Sequence, residues 1–196
     1  MGADKTAEDL KKTANLPAKD LQFYPTPEDV VARMLSDVYI REGERVLEPS
    51  AGIGNIAFAA AEKGAHVRAV EIHPGRAQAL VARGHPNVEV SNTNFLTMPV
   101  SQEFDYVLMN PPFYGTHWID HVIHAFKFLK PGGKLIAVLP ITAEFGDSKR
   151  HKAFHKWIEA NNKSWGGSSF TDLPTESFAS VGTRINTVIL EMRRGV

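Results

Sequence analysis

The chain has 196 residues, 43% of them hydrophobic and 22% charged, the balance of a soluble globular protein with enough length for one full core. Lys and Arg total 22 and so do Asp and Glu, which excludes a strongly basic, non-specific nucleic-acid binder and confines any such contact to a local patch. Cysteine is absent, no apolar stretch is long enough to span a membrane, and the polar stretch Met1–Lys12 lacks the apolar core of a signal peptide, which together fit a cytoplasmic chain without disulfide or thiolate chemistry.

Residues 1–20 read as a flexible or loosely docked lead-in, and 21–196 as one domain with no second boundary, repeat or low-complexity segment. Thr26-Pro27-Glu28-Asp29 predicts a helix start, with Thr as N-cap, Pro at the first helical position and acids in the first turn. Val30, Val31, Met34, Leu35 and Val38 then recur at helical spacing. Arg45–Glu48 reads as a strand, broken by Gly52-Ile53-Gly54, and Asn55–Lys63 as a helix ending at Gly64. His66–Glu71 is a second strand, Pro74–Arg83 a helix stopped by Gly84, and Val88–Val90 a third strand. Tyr106–Leu108 is a fourth strand inside an apolar run from Phe104; Thr116–Leu129 is a helix closed by Pro131-Gly132-Gly133. Leu135–Leu139 is a fifth strand and Ser148–Ala160 a further helix. Residues 164–171 and 184–193 are strand-like with no helix between them, a closing hairpin. Alternating strands and helices predict βαβ units around a mostly parallel sheet, an α/β fold.

The apolar run ends on Asn110-Pro111-Pro112-Phe113. The prolines fix φ and donate nothing, so the carbonyls there remain acceptors. Asn adds a side-chain carbonyl and Phe a flat stacking face. Two acceptors beside a π face form a receptor for a planar group carrying an NH2, although Asn-Pro is also an ordinary turn starter. Upstream, Glu48-Pro49-Ser50-Ala51-Gly52-Ile53-Gly54 fills the first strand-to-helix turn, where an open α/β sheet binds ligands. Its spacing is not the dinucleotide G-x-G-x-x-G. Glu71 ends the second strand roughly 20 residues beyond the first glycine, where an acid can accept from both ribose hydroxyls of a nucleoside.

Taken together, V-L-E-P-S-A-G-x-G, the strand-end acid and N-P-P-F resemble the class I S-adenosylmethionine-dependent methyltransferases, and among them the adenine-N6 DNA methyltransferases with an N-P-P-F/Y motif. The resemblance covers about residues 22–140 and implies a single-domain Rossmann-like methyltransferase fold, a seven-stranded, mostly parallel sheet with a C-terminal antiparallel hairpin. It implies S-adenosyl-L-methionine as cofactor, with Glu48 near the methionine end, the backbone near Gly52 close by, Glu71 holding the ribose, and Pro49, Ser50, Gly54 and Ile72 in the same cofactor-binding set. Gln22-Phe23-Tyr24-Pro25-Thr26-Pro27 resembles the F-x-T-P segment of those enzymes, which adds Phe23, Tyr24, Thr26 and Pro27 to the cofactor-binding set, with Asn110 at its edge. Where many relatives carry an Asp that accepts from the cofactor's adenine amino group, this chain has Asn94, whose amide oxygen could accept instead; Phe95 would pack on the adenine face. Ala179–Thr183 and the strand after it resemble the same enzymes' closing hairpin, and the motif order matches the class often called gamma.

In that chemistry Asn110 and the Pro111 carbonyl accept the two N–H bonds of an exocyclic amine and localise its lone pair, with Pro112 holding the loop. Phe113 stacks on the base, helped by Tyr114, worth roughly 1–3 kcal/mol. Catalysis is then mainly positioning and needs no strong base. A base in duplex DNA must first be flipped out. Tyr114, His117, Lys149 and Arg150 are the substrate-binding candidates. His117, His121 and His124, like His151 and His155, fall at metal-like spacings, but no carboxylate or cysteine completes a set, so no metal is expected. The expected partner is nucleic acid, DNA ahead of RNA, and no membrane; the chain has no room for a recognition domain, which leaves loose specificity, a single-stranded substrate or a recognition subunit as the options. RNA adenine-N6, a protein glutamine-N5, or a non-catalytic cofactor-binding subunit of a larger complex are the alternatives.

Overall fold

A computed structural model of the chain describes residues 24–36, 38–164, 169–183 and 185–196. The lead-in expected over 1–20, and Phe23, lie outside the described residues. The strands are β1 (Arg45–Glu48), β2 (His66–Val70), β3 (Val88–Ser91), β4 (Phe104–Met109), β5 (Leu129–Pro140), β6 (Phe170–Asp172) and β7 (Thr187–Arg193). The helices are α1 (Glu28–Ser36), α2 (Asn55–Glu62), α3 (Pro74–Arg83), α4 (His117–Phe126), α5 (Thr142–Phe145) and α6 (Lys149–Asn161). One seven-stranded sheet runs in the order β3-β2-β1-β4-β5-β7-β6. β1 to β5 are parallel wherever they pair, and β7 is antiparallel to both β5 and β6. The chain leaves β1 toward β2 on one side and returns to β4 on the other, so a crevice opens at the carboxyl ends of these strands, where α/β sheets bind ligands.

Both faces of the sheet are covered, which is why its strands read as apolar runs rather than polar alternations. Val46, Leu108, Ile136 and Val138 pack with Met34, Ile56, Phe58 and Leu80 on one face. Their strand neighbours Leu47, Val107, Leu135 and Ala137 pack with Trp118, Phe126, Phe154 and Ile158 on the other, the period-two alternation of a strand. Ala57, Ala60 and Ala61 of α2 are all buried, and such small side chains let that helix lie close to the sheet.

Two boundaries differ from the expectation. Pro131-Gly132-Gly133 does not close the helix after Thr116; α4 stops at Phe126 and the tripeptide lies inside β5. Phe104 pairs with Leu129 but Tyr106 with Lys134, so the extra residues form a bulge. A Cβ on Gly133 would come within 3.0 Å of the Asp105 carbonyl, so the glycine serves close strand approach rather than helix termination. The hairpin forms from β6 and β7, while residues 165–168 and 184 of the expected spans lie outside the described residues.

Candidate active site

The glycine turn after β1 is held against the end of β2. Ala51 N–H donates to the Val70 carbonyl at 2.8 Å, Gly54 N–H to the Ala51 carbonyl at 2.7 Å, and Gly52 N–H to Glu71 Oε2 at 2.8 Å. Glu71 is buried, and its other oxygen accepts from His73 N–H at 2.7 Å and from Arg76 Nε and Nη2 at 3.0 and 2.8 Å. A carboxylate held by backbone N–H donors and a guanidinium together is fixed in place. Asn92 Nδ2 reaches the Glu71 and Ile72 carbonyls at 2.8 and 3.1 Å and clamps the same corner from β3.

The catalytic-motif loop is fixed from the N-terminal side. Asn110 Nδ2 donates to the Tyr24 carbonyl at 3.1 Å and to Thr26 Oγ1 at 3.0 Å. A backbone carbonyl can only accept, so this contact sets the amide's orientation and turns Oδ1 away from the 24–26 segment. Asn55 Nδ2, at the start of α2, donates to the Thr26 carbonyl at 2.8 Å. Two amides thus pin Tyr24–Thr26 between the cofactor turn and the N-P-P-F loop. The Thr26 hydroxyl, expected as a helix cap, meets Asn110 instead, and α1 begins two residues later at Glu28. Phe113 packs near Tyr24, with ring centroids 6.4 Å apart and tilted by 35°.

These elements enclose a cleft with about 710 Å³ of open space. Tyr24, Thr26, Glu48, Pro49, Ser50, Glu71, Ile72, Asn94, Phe95, Asn110, Pro111 and Pro112 line it. Pro27, Gly52 and Gly54 stand just behind, as the backbone that shapes the wall: Pro27 O accepts from Val31 N–H at 2.9 Å, and Gly54 sits at φ 87°, a conformation glycine adopts freely, immediately before α2. Asn94 uses its Oδ1 to accept from Leu96 N–H at 3.0 Å, capping a short 3-10 turn, Phe95–Thr97. An amide oxygen has two lone pairs, so both this oxygen and the NH2 can still meet a ligand. Ile53, Asn55, Arg76, Thr93 and His121 also line the cleft and were missed by sequence reasoning. In the sequence Ile53 stands inside the glycine turn, Asn55 opens the following helix and His121 shows only its spacing, while Arg76 and Thr93 carry no signal of their own.

Glu48 is the electrostatic anomaly of the cleft. It is 2% exposed, and its Oε2 has no hydrogen-bond partner among the described residues. Burial pushes its carboxyl well above the usual range; a hydrogen bond from Ala57 N–H pulls it down and the Glu71 charge pushes it up further. A buried acceptor without a partner on the cleft wall, beside a turn that admits close backbone approach, fits the cationic amino group of S-adenosylmethionine.

The remaining candidates spread outward. Tyr114 is 57% exposed on the rim. His117 is buried, its Nε2 3.2 Å from that of His121, and its ring packs edge-on to the same residue. Arg150 Nη2 is engaged by Asp120 Oδ1 at 2.6 Å, whereas Lys149 is exposed. The histidine spacings have structural partners: His124 meets the Met98 carbonyl at 3.2 Å, His151 Nδ1 the Ser148 hydroxyl at 2.8 Å and His155 the Ala143 carbonyl at 2.8 Å. Among the described residues no group of three or more His, Cys, Asp or Glu is placed to hold a metal, and no helix is long and apolar enough to cross a membrane.

The fold is that of the S-adenosylmethionine-dependent methyltransferases. The chain belongs to the methyltransferase small domain family, whose model matches residues 28–160. Among curated proteins it is similar to an uncharacterized protein of Mycobacterium tuberculosis, at 40% identity over 79 residues, 38% of this chain and 29% of that one. It is also similar to a type II methyltransferase of a Paramecium bursaria Chlorella virus, at 26% identity over 113 residues, 57% of this chain and 29% of that one. Among solved structures, a Vibrio vulnificus protein assigned as the modification subunit of a type I restriction enzyme superposes with a TM-score of 0.73 at 18% identity, covering 98% of this chain and 48% of that one. The methyltransferase subunit of a type I restriction-modification system from Streptococcus thermophilus gives 0.70 at 17% identity, over 88% and 45%. A dimethyladenosine transferase from Plasmodium falciparum gives 0.66 at 14% identity, over 88% and 63%. At such identities the structural likeness is one of fold. The chain spans 29% of the length of these curated relatives and about half of the two restriction subunits.

Proposed function

We propose that the chain methylates an exocyclic amino group, adenine N6 in DNA, as a modification enzyme or as the catalytic part of one. The observation that carries this is the fixed orientation of Asn110: its Nδ2 is consumed by Tyr24 and Thr26, so its Oδ1 is the acceptor offered to the cleft. An aromatic amine is a poor nucleophile because its lone pair is delocalised into the ring. Acceptors on both N–H bonds, from Asn110 Oδ1 and the Pro111 carbonyl, draw the nitrogen toward tetrahedral geometry and localise that pair. Glu71, Asn94 and Phe95 would hold the nucleoside end of S-adenosylmethionine, and Glu48, Ser50 and Thr26 its methionine end. The cofactor supplies an electrophilic methyl group. Phe113 offers a stacking face that orients the base, and the proton leaves the amine after attack through these acceptors to water. Positioning and water exclusion do most of the work.

Type I and type II DNA methyltransferases among the similar proteins support DNA as the polymer. Because the chain spans only part of those relatives, target recognition would fall to a further segment or a partner subunit. The same reading keeps the chain in the cytoplasm, with its nucleic acid and cofactor. The test is incubation with radiolabelled S-adenosylmethionine and, separately, duplex DNA, single-stranded DNA, total RNA and protein extract, with Asn110→Ala alongside. Label in DNA as N6-methyladenine that vanishes in the variant is expected. Label in RNA adenine or in a protein glutamine would retain the amine chemistry and overturn the choice of DNA. Cofactor binding without label in any polymer would overturn catalysis by this chain.

A further inference from the structure

We propose that a polynucleotide is gripped on a rim outside the cleft formed by Tyr114, Phe145, Lys149 and Lys152. This rests on the nucleic-acid reading above and adds the surface that holds the strand. The loop after β4 carries Asn110 and Tyr114 and leads into α4; the loop after β5 carries Phe145 in α5 and leads into α6. Two contacts tie the starts of α4 and α6 together, and a third ties α5 to α6. Arg150 Nη2 meets Asp120 Oδ1 at 2.6 Å, the Trp118 and His151 rings lie 5.9 Å apart, and His155 Nε2 meets the Ala143 carbonyl at 2.8 Å. β4 and β5 are adjacent and parallel, so both loops leave the sheet at the carboxyl ends beside the cleft.

On this rim two large rings stand in water, Phe145 at 70% exposure and Tyr114 at 57%. The other strongly exposed aromatic among the described residues, Tyr39 at 81%, lies at the opposite end of the sheet, where Tyr106 Oη donates to its carbonyl at 3.0 Å. Every base has a π face, so exposed rings beside a catalytic loop suit a strand whose neighbouring bases must be held while one enters the cleft. Lys149 and Lys152 are exposed on the first turn of α6 and supply cations for phosphates. Arg150, between them in sequence, neutralises Asp120 instead, which removes one acid from the path of the backbone. Glu144 and Asp147 remain on the same loop, so phosphate contact is confined to the lysine side.

The test measures binding of a fluorescent oligonucleotide, single-stranded and duplex, by anisotropy across a salt series. It compares the wild type with Phe145→Ala, the pair Lys149→Ala/Lys152→Ala, and Tyr39→Ala as control. All four substituted side chains are exposed, and unchanged S-adenosylmethionine affinity confirms that the cleft is intact. Phe145→Ala is expected to weaken binding about 5- to 50-fold. The lysine pair is expected to reduce the slope of log K on log salt by about 1–2. Tyr39→Ala is expected to change neither. If the wild type binds and methylates the oligonucleotide while Phe145→Ala and the lysine pair retain its affinity and slope, this inference alone is overturned. If the wild type binds no oligonucleotide and labels a protein, the rim and the nucleic-acid reading fall together.

Discussion

Asn110 Nδ2 and Thr26 Oγ1 lie 3.0 Å apart although they are 84 positions apart in sequence, and this bond helps fix which face the Asn110 amide turns to the cleft. Thr26→Val removes the hydroxyl and leaves one amide hydrogen half-satisfied, at a cost of about 1–3 kcal/mol. We expect kcat to fall roughly 10-fold, since 1.36 kcal/mol is a factor of ten in rate, and cofactor affinity to fall as well, by the smaller contact that Thr26 offers the methionine end. Asn110→Ala removes the acceptor itself and is expected to cost roughly 100-fold or more. Single-turnover methylation beside a cofactor titration separates the two effects. Equal kcat in Thr26→Val and wild type would show that Tyr24 alone orients the amide.

Glu48 gives a pH dependence with a definite sign. Its folded pKa is raised by burial above the ordinary glutamate value of about 4.3. The stability this contributes is fully present below the unfolded pKa and is lost as pH rises through the folded pKa. Cofactor-free wild type should therefore lose thermal stability as pH rises above about 4.3, while Glu48→Gln follows a flatter curve. Cofactor affinity should run the other way, tightening as Glu48 ionises opposite the cofactor's amino group and releasing a proton on binding. Calorimetry in two buffers of different ionisation enthalpy reads that proton. A wild-type affinity as flat with pH as that of Glu48→Gln would remove Glu48 from the cofactor's charged end.

Glu71 is a junction as well as a ligand candidate, because its two oxygens accept from Gly52, His73 and Arg76 together. In Glu71→Gln the new NH2 must face one of these donors, and the ion pair with Arg76 disappears. Losing one charge-assisted bond is worth about 1.5–3 kcal/mol. Cofactor affinity is expected to fall about 10- to 100-fold, and Tm by several degrees at roughly 2–4 °C per kcal/mol for a chain of this size. Isothermal titration and a melting curve check both; a lowered Tm with unchanged affinity would restrict Glu71 to a structural role.

What the sequence made legible was local. The glycine turn, the strand ends at Glu48 and Glu71, and the N-P-P-F loop are set by backbone preferences and apolar runs that need no distant partner. The alternation of strands and helices was enough for the parallel sheet, because buried strands and Gly-stopped helices are locally distinct. What escaped depends on contacts between distant segments. The burial of Glu48 follows from how α2 packs, and the Asn94 cap from a turn only the tertiary structure reveals. Pro131-Gly132-Gly133 carries every local sign of a helix stop, yet β4 demands Gly133 there so that the Asp105 carbonyl can approach. Tyr24–Thr26 reads as a helix entry until Asn55 and Asn110 are seen to bind it.

Gly54 offers the sharpest test of the cofactor turn. It sits at φ 87°, and a Cβ there would lie 2.6 Å from both Leu80 Cδ2 and Phe58 Cε2. Left-handed backbone costs a non-glycine residue about 1–2 kcal/mol. Forcing an extra carbon into a packed core costs typically 1–3 kcal/mol more. Gly54→Ala should therefore lose about 2–5 kcal/mol and roughly 5–15 °C in Tm. Gly115 is the matched control: its φ is 53°, but a Cβ there meets nothing within 4 Å, so Gly115→Ala should pay the backbone term alone. The two losses, read from denaturant melts, should differ by about the packing cost. Equal losses would mean that Phe58 and Leu80 move aside without cost and that the turn is looser than its contacts imply.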